Sequence, residues 1–243
     1  MYKLATHFHT SESSPCGHIP AAEGVAAYAR AGFQGIMVTD HFSESVWGGP
    51  ARWGGSGQGS WNALLEAYVS GWRAAASAGQ KLGLDIFLGL ELRFPANLND
   101  FLVYGVTLAF LQQHPWCYQG SLQAFHELAQ ANDLLVVQAH PFRSMCHPAN
   151  PSWLDGIEVY NGNPRHDSHN DRALAWAAQC GRLQTAGDDY HQTEDCRGAG
   201  LLFPQRDRLA AADLTRALRQ PEQYQLLRAV DLAADPLKAC SKP

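Results

Sequence analysis

The chain has 243 residues, 46% of them hydrophobic, which is enough for one α/β barrel or two small domains. Its net charge of −5, without a basic stripe, argues against duplex nucleic acid as the main partner, although bound metal ions would still allow a phosphate substrate. No apolar run approaches the roughly 18 residues of a membrane span, the N-terminus lacks a signal pattern, and the six cysteines are scattered. These features predict a cytoplasmic protein with reduced thiols.

Helical segments alternate with strand-like apolar runs along the chain. Helices are predicted at about residues 20–30, 61–81, 122–131, 169–180 and 211–219. Ser60 and Ser121 are the expected N-caps of the helices at 61–81 and 122–131, and Gly83 and Gly181 close the helices at 61–81 and 169–180. The alternation predicts a parallel sheet, and because no linker interrupts it, one domain over residues 1–243 is expected.

Most of the strand-like runs end in a residue that can bind a metal ion. These residues are His7, His9, Asp40, His41, Glu91, His140, Glu158, Asp188, Asp189 and His191. In a barrel of alternating strands and helices, the carboxyl ends of the strands share one face, where the active site is built. The sequence therefore predicts one polynuclear metal site at that face.

Spacing and neighbours strengthen two of these candidate ligands. His7 and His9 lie two residues apart on an extended run, so both imidazoles project to the same side and can bind one ion. Glu91 follows a wholly apolar run, where a carboxylate is costly to bury unless it is paired or bound to metal. A bridging carboxylate between two ions is one interpretation of Glu91, and an ion pair with Arg93 is the other.

Three cationic side chains near the strand ends favour an anionic substrate. Arg143 follows His140 by three residues, and Arg165 and His166 lie in the loop after the strand that contains Glu158. Guanidinium groups offer paired donors to phosphate or carboxylate, so Arg143, Arg165 and His166 are predicted to bind substrate. An ion pair with a surface carboxylate is the alternative for Arg143. Glu158 is expected to orient a ligand histidine.

The glycine-rich stretch at residues 47–59 lacks the Gly-Lys-Ser/Thr ending of a phosphate loop. It is predicted to form a flexible loop over the site, in which Trp47, Trp53 and Trp61 cover the substrate.

Taken together, these motifs resemble those of the PHP (polymerase and histidinol phosphatase) family. The family features are His-x-His at His7 and His9, Thr-Asp-His ending at His41, a glutamate at Glu91, His-Pro at His140, and Asp-x-His at Asp189 and His191. The segments His-Thr-Ser-Glu-x-Ser-Pro-Cys-Gly, from His9 to Gly17, and Tyr-Asn-Gly-Asn-Pro-Arg-His-Asp, from Tyr160 to Asp167, also resemble a bacterial subgroup. The resemblance covers residues 1–205 and is specific as a set.

The resemblance implies a distorted seven-stranded (β/α) barrel with up to three metal ions at the C-terminal face of the strands. It assigns His7, His9, Glu91 and Asp189 to a first ion. Glu91 would bridge to a second ion at His140. His41 and His191 would hold a third ion.

Two positions depart from the family pattern. Where the family often has an aspartate ligand of the third metal before a glycine, this chain has Cys16 before Gly17. Glu12, slightly upstream, is the preferred replacement because its carboxylate suits a hard cation, whereas Cys16 would favour zinc. Where the family often has a histidine before the fourth strand, this chain has Asp100, which either replaces that ligand or caps a turn.

The predicted activity is metal-dependent hydrolysis of a phosphate ester, most simply a small phosphomonoester as in histidinol phosphatases, by a metal-bound hydroxide. Two to three Zn, Fe or Mn ions would be the cofactors, with Glu91, Asp189 and His191 as catalytic groups. The alternatives are an amidohydrolase-like C–N hydrolase, a nuclease, and a metal-binding module without catalysis. The chain has no Gly-x-Ser-x-Gly elbow, which argues against a serine hydrolase.

Overall fold

The structure is a computed structural model that describes residues 1–229. The predicted single domain runs to residue 243, so its last part, residues 230–243, lies outside the described residues, and the single domain stays a prediction. The strands are β1 (Tyr2–Phe8), β2 (Gly35–Val38), β3 (His41–Ser43), β4 (Asp85–Leu88), β5 (Leu90–Arg93), β6 (Phe101–Tyr104), β7 (Leu135–Gln138), β8 (Gly156–Asn161), β9 (Leu183–Gly187), β10 (Gly200–Phe203) and β11 (Gln225–Leu227). The helices are α1 (Ala21–Arg30), α2 (Glu44–Trp47), α3 (Gln58–Tyr68), α4 (Ser70–Leu82), α5 (Leu108–Gln113), α6 (Leu122–Ala131), α7 (Asn170–Cys180) and α8 (Leu214–Leu218).

The strands form two sheets, one with the order β11-β10-β1-β2-β4 and the other with the order β3-β5-β6-β7-β8-β9. The predicted α/β architecture is confirmed, but a single closed barrel of seven strands is not, because the two sheets stay open. The chain passes from one sheet to the other at Gly89, between β4 and β5, where a Cβ would lie 3.1 Å from the Val103 carbonyl oxygen. On the opposite side, an isolated bridge between Phe8 and Tyr190 links the end of β1 to the segment after β9.

The prediction of a parallel sheet is wrong for β6, which runs antiparallel to both β5 and β7, and for β10, which runs antiparallel to both β1 and β11. For β6 the physical reason is the connection, since residues 94–100 are too few for the crossover of about a dozen residues that a parallel neighbour needs. The reversal brings the start of β6 to the face where β7, β8 and β9 end. Asp100, directly before β6, thereby reaches the predicted site.

The predicted helix at residues 61–81 is two helices, α3 and α4, that meet at Val69. The Ser13 hydroxyl enters the break from the loop after β1, where it donates to the Tyr68 carbonyl (2.6 Å) and accepts from the Gly71 N–H (3.0 Å). A side chain that inserts into the helical hydrogen-bond ladder is a recognised cause of such breaks. By contrast, α6 spans the predicted residues, with Ser121 accepting the Ala124 N–H as its N-cap.

The tryptophans of the glycine-rich stretch contribute to the core and do not cover the site as predicted. Trp61 is fully buried and donates to the Leu111 carbonyl at 2.6 Å, and Trp47 is 9% exposed and donates to the His41 carbonyl at 2.8 Å. Trp53 in turn donates to the Trp47 carbonyl. Within residues 1–229, no helix combines the length and hydropathy that a membrane crossing requires.

Candidate metal centre

The strand ends bring eight of the nine predicted ligands together. They are His7 and His9 at the end of β1, His41 in β3, Glu91 in β5, Asp100 before β6, His140 after β7, and Asp189 and His191 after β9. Their ligand atoms form overlapping groups in which all atoms lie within 4.8 Å of one another: His7-His9-Glu91, His7-His140-Asp189, His41-Glu91-Asp100 and His9-Cys16-His41-His191. The ninth, Glu12, lies elsewhere.

Glu91 stands at the middle of these groups and is 1% exposed. Its Oε1 lies 3.3 Å from His7 Nε2 and 3.2 Å from His140 Nε2, whereas its Oε2 lies 3.3 Å from His9 Nε2 and 2.7 Å from His41 Nδ1. Each oxygen therefore faces a different pair of imidazoles, which is the arrangement of a carboxylate that bridges two ions.

Some polar atoms at the centre are buried without a hydrogen bond. His7 Nε2 and His9 Nε2 have no hydrogen-bond partner among the described residues, whereas Glu91 Oε2 has the contact with His41 Nδ1 at 2.7 Å. An unsatisfied buried polar atom costs about 1–3 kcal/mol, so two buried nitrogens that face the same carboxylate call for a ligand. Imidazole nitrogens and carboxylate oxygens are the donors that divalent transition metals accept, so the residues present fit a metal centre.

The second nitrogen of each of three histidines is held by a hydrogen bond that turns the other nitrogen toward the centre. Glu158 Oε1 lies 2.9 Å from His7 Nδ1, as the predicted orienting role requires, and the Asp189 carbonyl lies 2.8 Å from His191 Nδ1. Ser14 Oγ lies 3.3 Å from His9 Nδ1 and itself donates to Asp40 at 2.7 Å. Such partners fix the tautomer and orientation of metal-binding imidazoles.

His140 and Asp189 occupy strained backbone positions. Their φ angles are 27° and 50°, in the left-handed region that residues other than glycine rarely adopt. The cost is offset by contacts to Asp189: its Oδ2 accepts from Arg143 (2.8 Å) and Asn161 (3.2 Å), and its carbonyl accepts from Asn163 (2.8 Å). Strain held in place by surrounding bonds is typical of ligand-binding positions.

The charged groups of the centre shift one another's pKa. Burial opposes ionisation of Glu91 and Asp189, but the neighbouring cationic side chains outweigh it and hold the pKa of both carboxyls well below the usual range. Burial also opposes protonation of His7 and His41, yet the surrounding carboxylates raise the pKa of both imidazoles. For His9, burial dominates and lowers the pKa, so its free nitrogen keeps a lone pair for a ligand.

The structure contradicts the preference for Glu12 over Cys16. Both carboxylate oxygens of Glu12 accept the Ala21 N–H at 3.0 Å, so this exposed side chain caps the start of α1, where a negative charge is favourable. Cys16 instead groups with His9, His41 and His191. Burial opposes ionisation of the Cys16 thiol, but hydrogen bonds from His191 and His41 lower its pKa to about 7.

Asp100 is fully buried and joins the group of His41 and Glu91. Arg93 holds it from the other side, with Nε and Nη2 donating to its two oxygens at 2.7 and 2.6 Å. The predicted alternative, an ion pair between Arg93 and Glu91, is therefore replaced by one between Arg93 and Asp100. Glu91 is left to the histidines.

The predicted substrate-binding side chains lie around the centre but are partly engaged. Arg143 donates to Asp189, so its partner is a buried carboxylate and not a surface one. Arg165 donates twice to the fully buried Asp195, which also accepts the His191 N–H. His166 is exposed, and burial and the charge of Arg143 lower its pKa.

Sequence reasoning missed the residues that support these ligands. Asn161 and Asn163 tie the loop after β8 to Asp189, and Cys146 Sγ lies 3.8 Å from His140 Nδ1. The paired asparagines in Tyr-Asn-Gly-Asn were a usable signal, because buried amides pair with other polar groups. The sequence carried no such signal for Cys146, because a single cysteine in a loop belongs to no recognisable motif.

Solved structures share this fold at low sequence identity. A two-domain protein from Bacteroides vulgatus that contains a predicted PHP-like metal-dependent phosphoesterase matches with a TM-score of 0.63 and 15% identity, and the alignment covers 93% of this chain but only 64% of that one. PsfC from Pseudomonas syringae matches with a TM-score of 0.64 and 17% identity, over 98% of this chain and 96% of that one. An amidohydrolase from Chromobacterium violaceum, solved with sulfate and no metal, matches with a TM-score of 0.55 and 15% identity, over 94% and 98%. No family model matches the chain, and no curated protein matches it in sequence.

Proposed function

We propose that this chain, whose fold is that of PHP-like proteins, is a metal-dependent phosphoesterase that acts on a small phosphomonoester. The observation that carries the proposal is the position of Glu91, whose two oxygens each face a separate pair of imidazoles. A centre of two or more ions is suited to displacement at phosphorus, because it stabilises charge on both the attacking and the leaving oxygen.

The ligands divide around Glu91. His7, His9 and Asp189 would hold one ion with Glu91, since Asp189 Oδ1 lies 3.2 Å from His7 Nε2 and 3.4 Å from His9 Nε2. His140 would hold a second ion with Glu91 Oε1, which lies 3.2 Å from its Nε2 and also faces His7. The His41 and His191 pair would serve a third, and Asp100 groups with His41 and Glu91 on that side. Divalent ions bound here would supply the Lewis acidity that activates water and polarises the phosphoryl group.

The chain's own side chains would orient and neutralise the substrate. Arg143 is 19% exposed and shares one nitrogen with Asp189, which leaves other guanidinium donors for a phosphoryl oxygen. Arg165 adds positive charge nearby. Burial and the charges of Arg143 and Arg165 lower the pKa of His166, so its imidazole would act as a neutral hydrogen-bond partner. Asp189 and His191 would flank the reacting group. The Asp189 carbonyl oxygen lies 2.8 Å from His191 Nδ1 and connects the two residues.

Hydrolysis of a C–N bond is the second candidate, and the likeness to the Chromobacterium amidohydrolase favours it. The cationic side chains argue for phosphate, because a neutral amide needs no guanidinium beside the metal ligands. The sulfate in that relative is of the same charge class as phosphate. Nuclease activity and a metal-binding role without catalysis have no observation of their own in their favour.

The direct test is turnover by protein loaded with Mn, Fe or Zn on matched panels of phosphomonoesters, phosphodiesters and N-acyl compounds. We expect hydrolysis of phosphomonoesters and competitive inhibition by inorganic phosphate. Hydrolysis of N-acyl compounds without phosphate inhibition would transfer the proposal to the amidohydrolase class. Metal binding without any turnover would favour the non-catalytic role.

Arg143→Met tests the anion-binding role directly. Loss of one donor that stabilises transition-state charge lowers turnover by roughly 10²-fold or more, so we expect at least that loss, together with weaker inhibition by phosphate. Metal content is measured in parallel, because Arg143 also contacts Asp189. Arg73→Met is the matched control, since Arg73 is 46% exposed and pairs with Glu66. Unchanged phosphate inhibition in Arg143→Met would contradict the assignment.

A further inference from the structure

The donor sets of the centre differ in chemistry. Three of its four groups contain carboxylates: His7-His9-Glu91, His7-His140-Asp189 and His41-Glu91-Asp100. The fourth, formed by His9, Cys16, His41 and His191, contains a thiol and no carboxylate. Soft thiolate ligands select zinc and related ions, whereas carboxylates suit harder ions such as manganese or magnesium. The molecule therefore offers two kinds of metal position side by side.

The thiol is held at the centre by the loop after β1. Ser14 N donates to the Thr10 carbonyl and Gly17 N to the Ser14 carbonyl, both at 2.9 Å, so two successive turns fold the loop back. The turns need Gly17, where a Cβ would lie 2.5 Å from the Thr10 carbonyl oxygen. His18 N then donates to the His191 carbonyl at 2.8 Å and fixes Cys16 beside His191.

The histidines of this group also point to a ligand. His9 is 1% exposed, and its Nε2 has no hydrogen-bond partner among residues 1–229. Because the same nitrogen faces Glu91 and Asp189 at 3.3 and 3.4 Å, we assign it to the carboxylate ion, whereas His41, whose Nδ1 lies 2.7 Å from Glu91 Oε2, groups with both the thiol and the carboxylates. That leaves Cys16 with His41 and His191, a three-ligand set that can keep an open coordination position.

We propose that Cys16, His41 and His191 form a thiolate metal position that takes zinc or a similar borderline ion, in the same centre as carboxylate positions that take harder ions. Binding replaces the thiol proton with the metal, and that proton passes to solvent, so the step needs no oxidant or reductant. The inference rests on the proposed metal-dependent function. Its test reads the metal alone and is independent of turnover.

Cobalt(II) is the probe, because a cysteine thiolate bound to cobalt gives a charge-transfer band in the near ultraviolet that oxygen and nitrogen ligands do not give. Metal-free full-length protein is titrated with cobalt, together with Cys16→Ser, Cys16→Asp and the control Cys146→Ser, whose thiol lies by His140. We expect the band in the parent and in Cys146→Ser and its complete loss in both Cys16 variants. Cys16→Asp, which restores an acidic ligand, should still bind cobalt and thereby show that the site is folded.

A second measurement asks which ion the thiol prefers. Protein loaded with zinc or with manganese is treated with iodoacetamide, and each cysteine is assigned by peptide mass spectrometry. We expect Cys16 to be protected by zinc and alkylated with manganese, while Cys180, on α7 away from the candidate ligands, reacts equally in both. A cobalt-loaded parent without the band, a band that survives in Cys16→Ser, or equal protection by the two metals would overturn the proposal. Turnover without the band would overturn only the proposed thiolate position. The band without turnover would overturn only the proposed phosphoesterase activity.

Discussion

Glu158 offers the sharpest test of how the centre is held, because it contacts candidate ligands without being one. It is 1% exposed; its Oε1 pairs with His7 Nδ1 at 2.9 Å, and its Oε2 accepts from His140 N and Asn161 Nδ2, both at 3.1 Å. Every partner is a donor, so both oxygens must accept. Glu158→Gln keeps the shape but replaces one acceptor with an NH₂ group, which can only donate.

Either orientation of the amide in Glu158→Gln damages the site. If the NH₂ group faces His7, the imidazole must accept at Nδ1 and carry its proton on Nε2, the nitrogen that points at Glu91 and Asp189. If the NH₂ group faces His140 N and Asn161, donors oppose donors in a buried place. Loss of such an orienting partner lowers metal affinity by about 10- to 100-fold. At 1.4 kcal/mol per tenfold change, this is roughly 1.4–2.8 kcal/mol.

The assay is a competition titration of metal-free protein against a chromophoric chelator, with the free energy of unfolding measured in urea alongside. Glu66→Gln is the matched control, because Glu66 is exposed and pairs only with Arg73 on the surface. We expect the control to bind metal as the parent does. Parent-like affinity in Glu158→Gln would refute the argument that Glu158 sets the tautomer of His7.

Two further substitutions test the centre and its support. Glu91→Gln should release at least one ion and remove most activity while circular dichroism stays native; retained metal and turnover would show that Glu91 does not bridge ions. Gly71→Ala should lower the free energy of unfolding by about 1–3 kcal/mol, as overpacking does, because its Cβ would collide with Thr10 Oγ1 and lie 2.9 Å from Asp40 Oδ2. Gly59→Ala, with nothing within 4 Å of its Cβ, should be neutral or stabilising by up to about 1 kcal/mol, and equal urea midpoints for the two variants would contradict the close-packing argument.

The ligands at strand ends were predictable because the signal is local. A strand side chain alternates between two faces, and an ionisable residue after an apolar run is costly unless it has a partner, so His7, His9 and Glu91 could be placed from neighbouring residues alone. The same holds for α6, whose N-cap and length can be predicted from residues next to one another in the sequence. The antiparallel β6 was also within reach, since the short connection at residues 94–100 excludes a crossover.

The errors come from contacts between distant segments. The helical pattern runs through Val69 without interruption, and the break depends on Ser13, which enters from the loop after β1. The choice between Glu12 and Cys16 depends on which way that loop turns. The preference for Glu12 rested on the affinity of carboxylates for hard cations and took no account of where the side chain points. Glu12 lies nine residues before the first residue of α1, so no local pattern marks it as a cap of that helix.

The segment from His9 to Gly17 has two roles, because some of its residues belong to the metal groups and others anchor the loop. His9 and Cys16 belong to those groups, whereas Thr10 and Ser14 donate to the Asp40 carboxylate. Asp40 itself directly precedes His41, and the His41 N–H donates to Ser14 at 3.0 Å. The Thr-Asp-His motif thus anchors the loop through its aspartate and supplies a candidate ligand through its histidine. The loop from His9 to Gly17 and the Thr-Asp-His motif therefore hold each other in place. A substitution at Asp40 would displace both His9 and Cys16, although Asp40 belongs to none of the metal groups. The presence of both motifs thus predicts the site better than the number of possible ligands does.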